Sequence, residues 1–334
     1  MTDVGRATAA RRRRAGRIVA GVALVAAAIG MVIAPGFDER EADAVDPSVW
    51  ALQTGAGQRY ARVNTEIAEV DTVKDVDAPS DIVQDGDRLL VLSASLTNAT
   101  IVEAARPADV TGAGAIATPP GTTAVVAGGD MVAYLAGDGD VLVGRLSDGT
   151  ATAPREVTLD GGLGLRAVAV AVDAAGVIAA YSPVAGGVVR VGADGTVDGV
   201  DPVPGVPVDG DVQVTLAAGR WALLDAATGL LWREGVDGSV ATGVDPDARL
   251  QRATEAADVH IADGRGLVVA AADGGAPVRV FGSDAIAGAP AAPAELDGVV
   301  YAAWLGDGDG GGTLWSSAGP AVPLDYAGGT RSAA

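Results

Sequence analysis

Residues 212–238 read VQVTLAAGRWALLDAATGLLWREGVDG, and their pattern decides the fold. Three short apolar runs, Val212 to Thr215, Trp221 to Leu224 and Leu230 to Trp232, are separated by turn residues, and Asp237-Gly238 closes the stretch. Runs this short, bounded by Gly and Asp, suit strands and are too brief for helices.

The same unit recurs along the chain. Its first full strand appears as Val49-Trp50-Ala51-Leu52, Leu89 to Leu92, Met131 to Leu135, Val177 to Tyr181, Trp221 to Leu224, Leu267 to Ala270 and Val299 to Trp304. The starts are spaced by 40, 42, 46, 44, 46 and 32 residues. A second strand keeps step with it, at Tyr60 to Val63, Thr100 to Val102, Val141 to Val143, Val188 to Val191, Leu230 to Trp232, Val278 to Val280 and Thr313 to Trp315. A shorter strand precedes most units, as at Ala167 to Val170 and Val212 to Thr215. Asp-Gly occurs 13 times and supplies the positive φ that tight hairpins require.

A repeat of 40–45 residues that makes one small antiparallel sheet is the signature of a propeller blade. One such sheet cannot cover both of its faces, whereas radial stacking covers each with its neighbours. The expected fold is therefore all-β, a seven-bladed β-propeller over residues 48–326, with six or eight blades compatible with the same pattern. Two stacked β-sandwiches are the competing architecture, but they predict no sevenfold register. Ring closure is open at this stage: residues near Val45 supply a strand to the last blade, or Ala321 to Leu324 complete the first.

Composition agrees and excludes much chemistry. Of 334 residues, 49% are hydrophobic but only 4% aromatic, with 48 Gly and 17 Pro. That is too much Gly and Pro for a helical bundle and too apolar for disorder. Cys is absent and there is one His, which removes disulfides, thiolate sites, cysteine nucleophiles and multi-histidine metal centres. The net charge of −20 argues against nucleic acid as a partner.

The charge is unevenly divided. Residues 1–35 hold six Arg and one acid, a net of +5, so the remainder carries −25. Arg11, Arg12, Arg13, Arg14 and Arg17 precede IVAGVALVAAAIGMVIAPGF, the 20 uncharged residues 18–37. As a helix that stretch is roughly 30 Å long, a bilayer core. The expectation is a cytoplasmic basic tail (1–17), a single transmembrane signal-anchor (18–35), a charged linker (36–47), the propeller, and a tail (327–334). The positive-inside rule puts the N-terminus in the cytoplasm and the bulk outside the cell membrane. A cleaved signal peptide ending near Ala42-Asp43-Ala44 is the alternative, and it also exports the propeller.

Val49-Trp50-Ala51, Arg62-Val63-Asn64-Thr65 and Ala68-Glu69-Val70 resemble the repeat of YVTN-type and quinoprotein-like propellers, and Ala226-Ala227-Thr228-Gly229 is similar to their connecting turn. The arginine-rich start, single span and degenerate propeller resemble the N-terminal part of actinobacterial membrane-anchored surface proteins. In those, immunoglobulin-like or fibronectin type III repeats follow; this sequence reaches Ala334 without them.

Several residues invite chemistry. His260 is the one imidazole and a candidate general base, with a structural role as its plainer reading. Gly306 to Thr313 looks like a calcium loop, but lacks the third oxygen ligand and the later Glu of an EF-type site. Arg62, Arg190 and Arg279 hold equivalent places in three units, either clamping one acidic ligand or pairing with the abundant carboxylates. Trp50, Trp221, Trp232, Trp304 and Trp315 recur with the repeat, and blade packing is their expected role. No catalytic, cofactor-binding or metal-binding residue is assigned. The resulting expectation is a membrane-tethered, non-enzymatic binding or scaffold module of the cell envelope, with a protein or polysaccharide partner and no cofactor. The alternative is a propeller enzyme, a quinone-cofactor dehydrogenase or a hydrolase of envelope polymers.

Overall fold

A computed structural model describes residues 48–324, except 54–57, 65–68, 148–149, 152–153, 160, 193, 208–209, 273, 297 and 306–311. The chain divides into two units, Met1–Asp46 and Pro47–Ala334, and every described residue belongs to the second. The basic tail with its six arginines and the anchor segment lie outside the described residues.

The described residues contain strands and no α-helix, arranged as seven antiparallel blade sheets in chain order and one separate two-stranded hairpin. The first blade comprises β1 (Ser48–Gln53), β2 (Arg59–Asn64) and β3 (Glu69–Asp75); the second, β4 (Pro79–Asp85), β5 (Arg88–Ser93), β6 (Asn98–Glu103) and β7 (Ile116–Ala117). The third holds β8 (Thr122–Gly128), β9 (Met131–Ala136) and β10 (Val141–Ser147), edged by the two-residue strands β11 (Thr150–Ala151) and β12 (Arg155–Glu156). A small hairpin of β13 (Thr158–Leu159) and β14 (Leu163–Gly164) precedes the fourth blade, made of β15 (Ala169–Val172), β16 (Ile178–Ser182), β17 (Gly187–Val191) and β18 (Val197–Pro202). The fifth contains β19 (Val212–Ala217), β20 (Arg220–Asp225), β21 (Leu230–Arg233) and β22 (Ser239–Ala241); the sixth, β23 (Arg249–Leu250), β24 (Val259–Asp263), β25 (Gly266–Ala270) and β26 (Val278–Phe281). In the seventh, β27 (Ala289–Pro290) and β28 (Ala294–Leu296) both pair with β29 (Val299–Leu305), followed by β30 (Gly312–Ser316) and β31 (Gly319–Leu324).

This is the seven-bladed propeller that the repeat implies. All fourteen recurring strands fall within β1, β2, β5, β6, β9, β10, β16, β17, β20, β21, β25, β26, β29 and β30, apart from Val177, one residue before β16. Ala321 to Leu324 belong to β31, paired with β30, so they complete the seventh blade and not the first. Residues near Val45 lie outside the described residues.

The core is a series of slabs between consecutive blades. Trp50, Leu52 and Tyr60 meet Ile82, Leu89 and Val91 between the first and second blades. Leu90 and Leu92 meet Val132 and Tyr134 between the second and third, and Leu135 and Val141 meet Ile178 and Val189 next. Tyr181 and Val188 pack on Trp221 and Leu223, Leu224 and Leu231 on Ile261, and Leu267 on Trp304. Ala and Val dominate because blades converge toward the axis, where large side chains overfill the space.

Candidate functional site

Near the axis the innermost strands of successive blades pack one against the next, and among the described residues they carry a mixed polar cluster in which Arg252 acts on Asp81 and Glu295 on His260. Asp81 stands on β4, and its carboxylate accepts the Ile82 N–H at 2.7 Å. Burial pushes its pKa up, while the positive charge of Arg252 and the Ile82 N–H pull it down, and burial wins. Arg252 lies in the segment after β23, where its backbone N–H bonds the Pro293 carbonyl at 3.2 Å. Glu295 on β28 accepts the Thr254 hydroxyl at 2.9 Å. Gln213 on β19 spans to the next blade, donating to the Ala248 carbonyl and accepting the Leu250 N–H.

His260 sits on β24 in this cluster, buried at 7% exposure. Its ring Nδ1 and its backbone N–H both lie 2.7 Å from the Gln251 side-chain oxygen. Burial lowers its pKa, against the opposing charges of Glu295 and Asp258. The imidazole is thus neutral near pH 7 and tied to an amide, which orients a strand. The Gln251 oxygen accepts from Nδ1, which leaves the lone pair on Nε2; a general base needs a substrate proton within reach of that atom.

The repeated arginines are not brought to one place. Arg279 on β26 makes two bonds of 2.7 Å to Asp263, which is fully buried. Asp263 also accepts the N–H groups of Arg265 and Asp245, and its own carbonyl takes the Trp304 indole N–H at 2.7 Å. Burial raises the Asp263 pKa, but the Arg279 bonds and the two N–H donors outweigh it and hold the carboxyl below its usual range. Arg190 on β17 bonds Asp201 at 3.3 Å and pairs with Glu234 of the fifth blade, while Trp221 donates its indole N–H to Asp201 at 2.8 Å. Arg62 is half-buried on β2, opposite Trp50 in register. Arg190 and Arg279 therefore serve as ties within and between neighbouring blades, one of the two roles open from sequence.

Sequence reading did not find Asp263, Asp81 or Gln251. The Asp-Gly motif at Asp263-Gly264 points to a turn, and its second use as the anchor of Arg279 depends on a partner 16 residues away. Arg88, which bonds Asp130 across the second and third blades at 2.7 Å, was also invisible as a tie. The tryptophans sit between blades: Trp50 tilts on Tyr60, and Phe281 lies between Trp304 and Trp315 at 5.5 and 5.4 Å. Residues 306–311 of the calcium-like loop lie outside the described residues. Among the described residues no group of three or more acidic or His side chains is placed to hold a metal ion, and no helix is long and apolar enough to cross a membrane.

No protein-family model matches the sequence, and no curated protein matches it. Solved structures do match the fold. The chain is similar to the dihydro-heme d1 dehydrogenase NirN, at 12% identity and TM-score 0.51, over 89% of this chain and 77% of that one. It is similar to virginiamycin B lyase from Staphylococcus aureus at 12% identity and TM-score 0.51, over 84% and 88%. A third likeness is to the β-propeller domain of Myceliophteria thermophila Cps50 (Swd1), at 9% identity and TM-score 0.52, over 77% and 93%. Identities this low establish the propeller architecture, which hosts unrelated functions.

Proposed function

We propose that this chain is a membrane-tethered, extracytoplasmic propeller that works as a non-enzymatic binding or scaffold module of the cell envelope. The observation that carries the reading is how the polar side chains are spent. His260 is held by Gln251, Asp263 by Arg279, and Arg190 by Asp201 and Glu234. Those pairings give rigidity within blades and, through Arg190 and Glu234, between them, and a rigid frame with loop-built faces suits recognition of a protein or polysaccharide. The acidic surface, net −25 beyond residue 35, keeps such a module soluble and repels like-charged neighbours. The arginine run before an uncharged stretch supports the tether and its orientation.

Two measurements test the two halves of this reading. Alkaline phosphatase fused after Pro47 is active if the propeller is exported and silent if it is cytoplasmic. For the binding role, purified envelope polysaccharide and envelope membrane protein are each titrated against the intact protein. Saturable binding without turnover supports the proposal; catalytic conversion of a bound polymer, or quinone-dependent dehydrogenation, replaces it with the enzyme reading.

A further inference from the structure

Strands alternate in direction within each blade, so the turns after β9 and β16 and the connections that lead into β15 and β19 lie at one end of the propeller. At that end, around the fourth blade, three aliphatic side chains stand out of the core. Leu163 on β14 is 62% exposed, Val168 just before β15 is 44% exposed, and Val184 in the turn after β16 is 66% exposed. Hydrogen bonds hold them together. The Val168 N–H bonds the Tyr181 carbonyl at 3.0 Å. The Ser182 hydroxyl, fully buried, donates to the Leu165 carbonyl and accepts the Ala185 N–H at 3.0 Å. Leu163 and Val184 thus flank one buried tie, each two residues from it. The Val184 turn is closed by Gly186, at φ 72°, whose N–H bonds the Pro183 carbonyl and whose carbonyl accepts the Val203 N–H. A surface fixed in this way loses little freedom when it is covered.

Carboxylates border the patch on two sides. Asp140, in the turn after β9, has its carboxylate 2.9 Å from the point where a side chain at Gly164 would begin, next to Leu163. Asp138 in the same turn is exposed, and the Arg166 guanidinium reaches its carbonyl at 2.9 Å. On the other side β15 packs beside β19, and the exposed Asp211 stands immediately before β19 as Val168 stands before β15. An apolar centre with a polar rim is the anatomy of a protein contact.

We propose that this patch is the docking surface for a partner-protein segment in which aliphatic side chains stand beside Lys or Arg. The inference rests on the binding-module reading and narrows its partner to protein. Charge complementarity selects the basic companions. Asp138, Asp140 and Asp211 surround the aliphatic trio, and the chain beyond residue 35 carries a net −25. That field speeds encounter with a basic partner and repels an acidic one, a second copy of this chain included. Side-chain shape speaks against sugars. Sugar rings seat on flat aromatic faces, whereas this patch is built of Leu and Val, and Tyr181 beside it is buried.

Titration of the full chain with short fluorescent peptides tests the patch, the probes being alternating Leu–Lys, Leu–Glu and Ser–Lys sequences read by anisotropy. The Leu–Lys peptide binds saturably, and the other two bind about tenfold more weakly or less. Leu163→Ser and Val184→Ser each weaken Leu–Lys binding about fivefold or more, by removing apolar area without adding charge. Asp138→Asn combined with Asp140→Asn weakens it about threefold at low salt and less at high salt. Val278→Ser, at a position 60% exposed on β26 of the sixth blade, leaves binding unchanged. Leu163 and Val184 are exposed, so an unchanged urea midpoint shows that a contact and not the fold was lost. Absence of saturable Leu–Lys binding, equal binding of Leu–Glu, or indifference to Leu163→Ser and Val184→Ser overturns the proposal. Envelope protein or polysaccharide that binds the parent and Val184→Ser alike overturns the patch and leaves the binding-module reading standing. Turnover of a bound polymer overturns that reading, and this inference with it.

Discussion

Among the described residues, the six junctions between consecutive blades and the junction of the seventh with the first differ in burial. In the second to fifth blades the central strand is buried on both faces: β9 and β16 are buried at every residue, and β5 and β20 at all but the first. In β29 of the seventh blade burial alternates instead, with Ala302 and Trp304 packed toward the sixth blade and Tyr301, Ala303 and Leu305 half-open. In β1 Trp50 and Leu52 are buried against the second blade, while Val49 is 37% exposed. Among the described residues no buried apolar cluster joins the seventh blade to the first. Burial, and with it stability, is concentrated where both faces of a sheet are covered.

The contrast is sharpest in a matched pair of truncations on one strand. Trp304 is fully buried and donates to the Asp263 carbonyl, so Trp304→Ala is expected to cost about 3–5 kcal/mol. Tyr301, on the opposite face of the strand, is half-buried, and Tyr301→Ala is expected to cost about 1 kcal/mol. Urea unfolding of both variants checks the difference. Equal losses mean that the seventh and first blades seal as tightly as the rest.

Asp263 breaks the same comparison through charge. Asp263→Ala leaves Arg279 without its partner and strips an acceptor from the N–H groups of Arg265 and Asp245. A loss of about 3–5 kcal/mol is expected from breaking one side of a buried pair. Its pKa, held low in the folded protein, gives the same tie a pH signature. This stability is present above the unfolded carboxyl value near 4 and is lost as pH falls through the lower folded value. At the other junction, Val322→Lys on β31, 38% exposed, is expected to change stability by no more than about 0.5 kcal/mol. A larger loss in the urea midpoint shows that this face is covered.

Much of this contrast follows from what a sequence can carry. Strand runs such as Met131 to Leu135 are legible because burial on both faces demands unbroken apolar residues, and their spacing counts the blades. The alternation Ala302, Ala303, Trp304 is hidden, since Ala fits either a sealed or an open face. The polar cluster was hidden for a different reason. Asp81, Arg252, Glu295 and His260 come from the second, sixth and seventh blades, and nothing local in the chain announces their meeting. Asp225 shows the same limit at short range. As the residue before Ala226-Ala227-Thr228-Gly229 it caps that turn through Ala227 N–H and the Thr228 hydroxyl, which a motif match marks only as a turn.

The smallest expected effect lies in the axial cluster. His260 has a folded pKa below its ordinary value, so the unfolded chain binds the proton more readily. Stability then falls as pH drops below about 6.5 and stops falling once the folded pKa is passed. Glu295 and Asp258 oppose the shift, and Gln251 faces the ring without titrating. Asp81 works in the opposite direction: its raised pKa means the folded chain holds a proton more tightly, so acidification favours folding there. The two contributions separate by substitution. His260→Asn removes the loss that sets in below about pH 6.5, whereas Asp81→Asn leaves that loss in place. If urea midpoints of the His260→Asn protein still fall across that range as in the parent, the imidazole is not the group that couples the axial cluster to acid. The difference between the axial end and the sealed slabs is then one of packing alone.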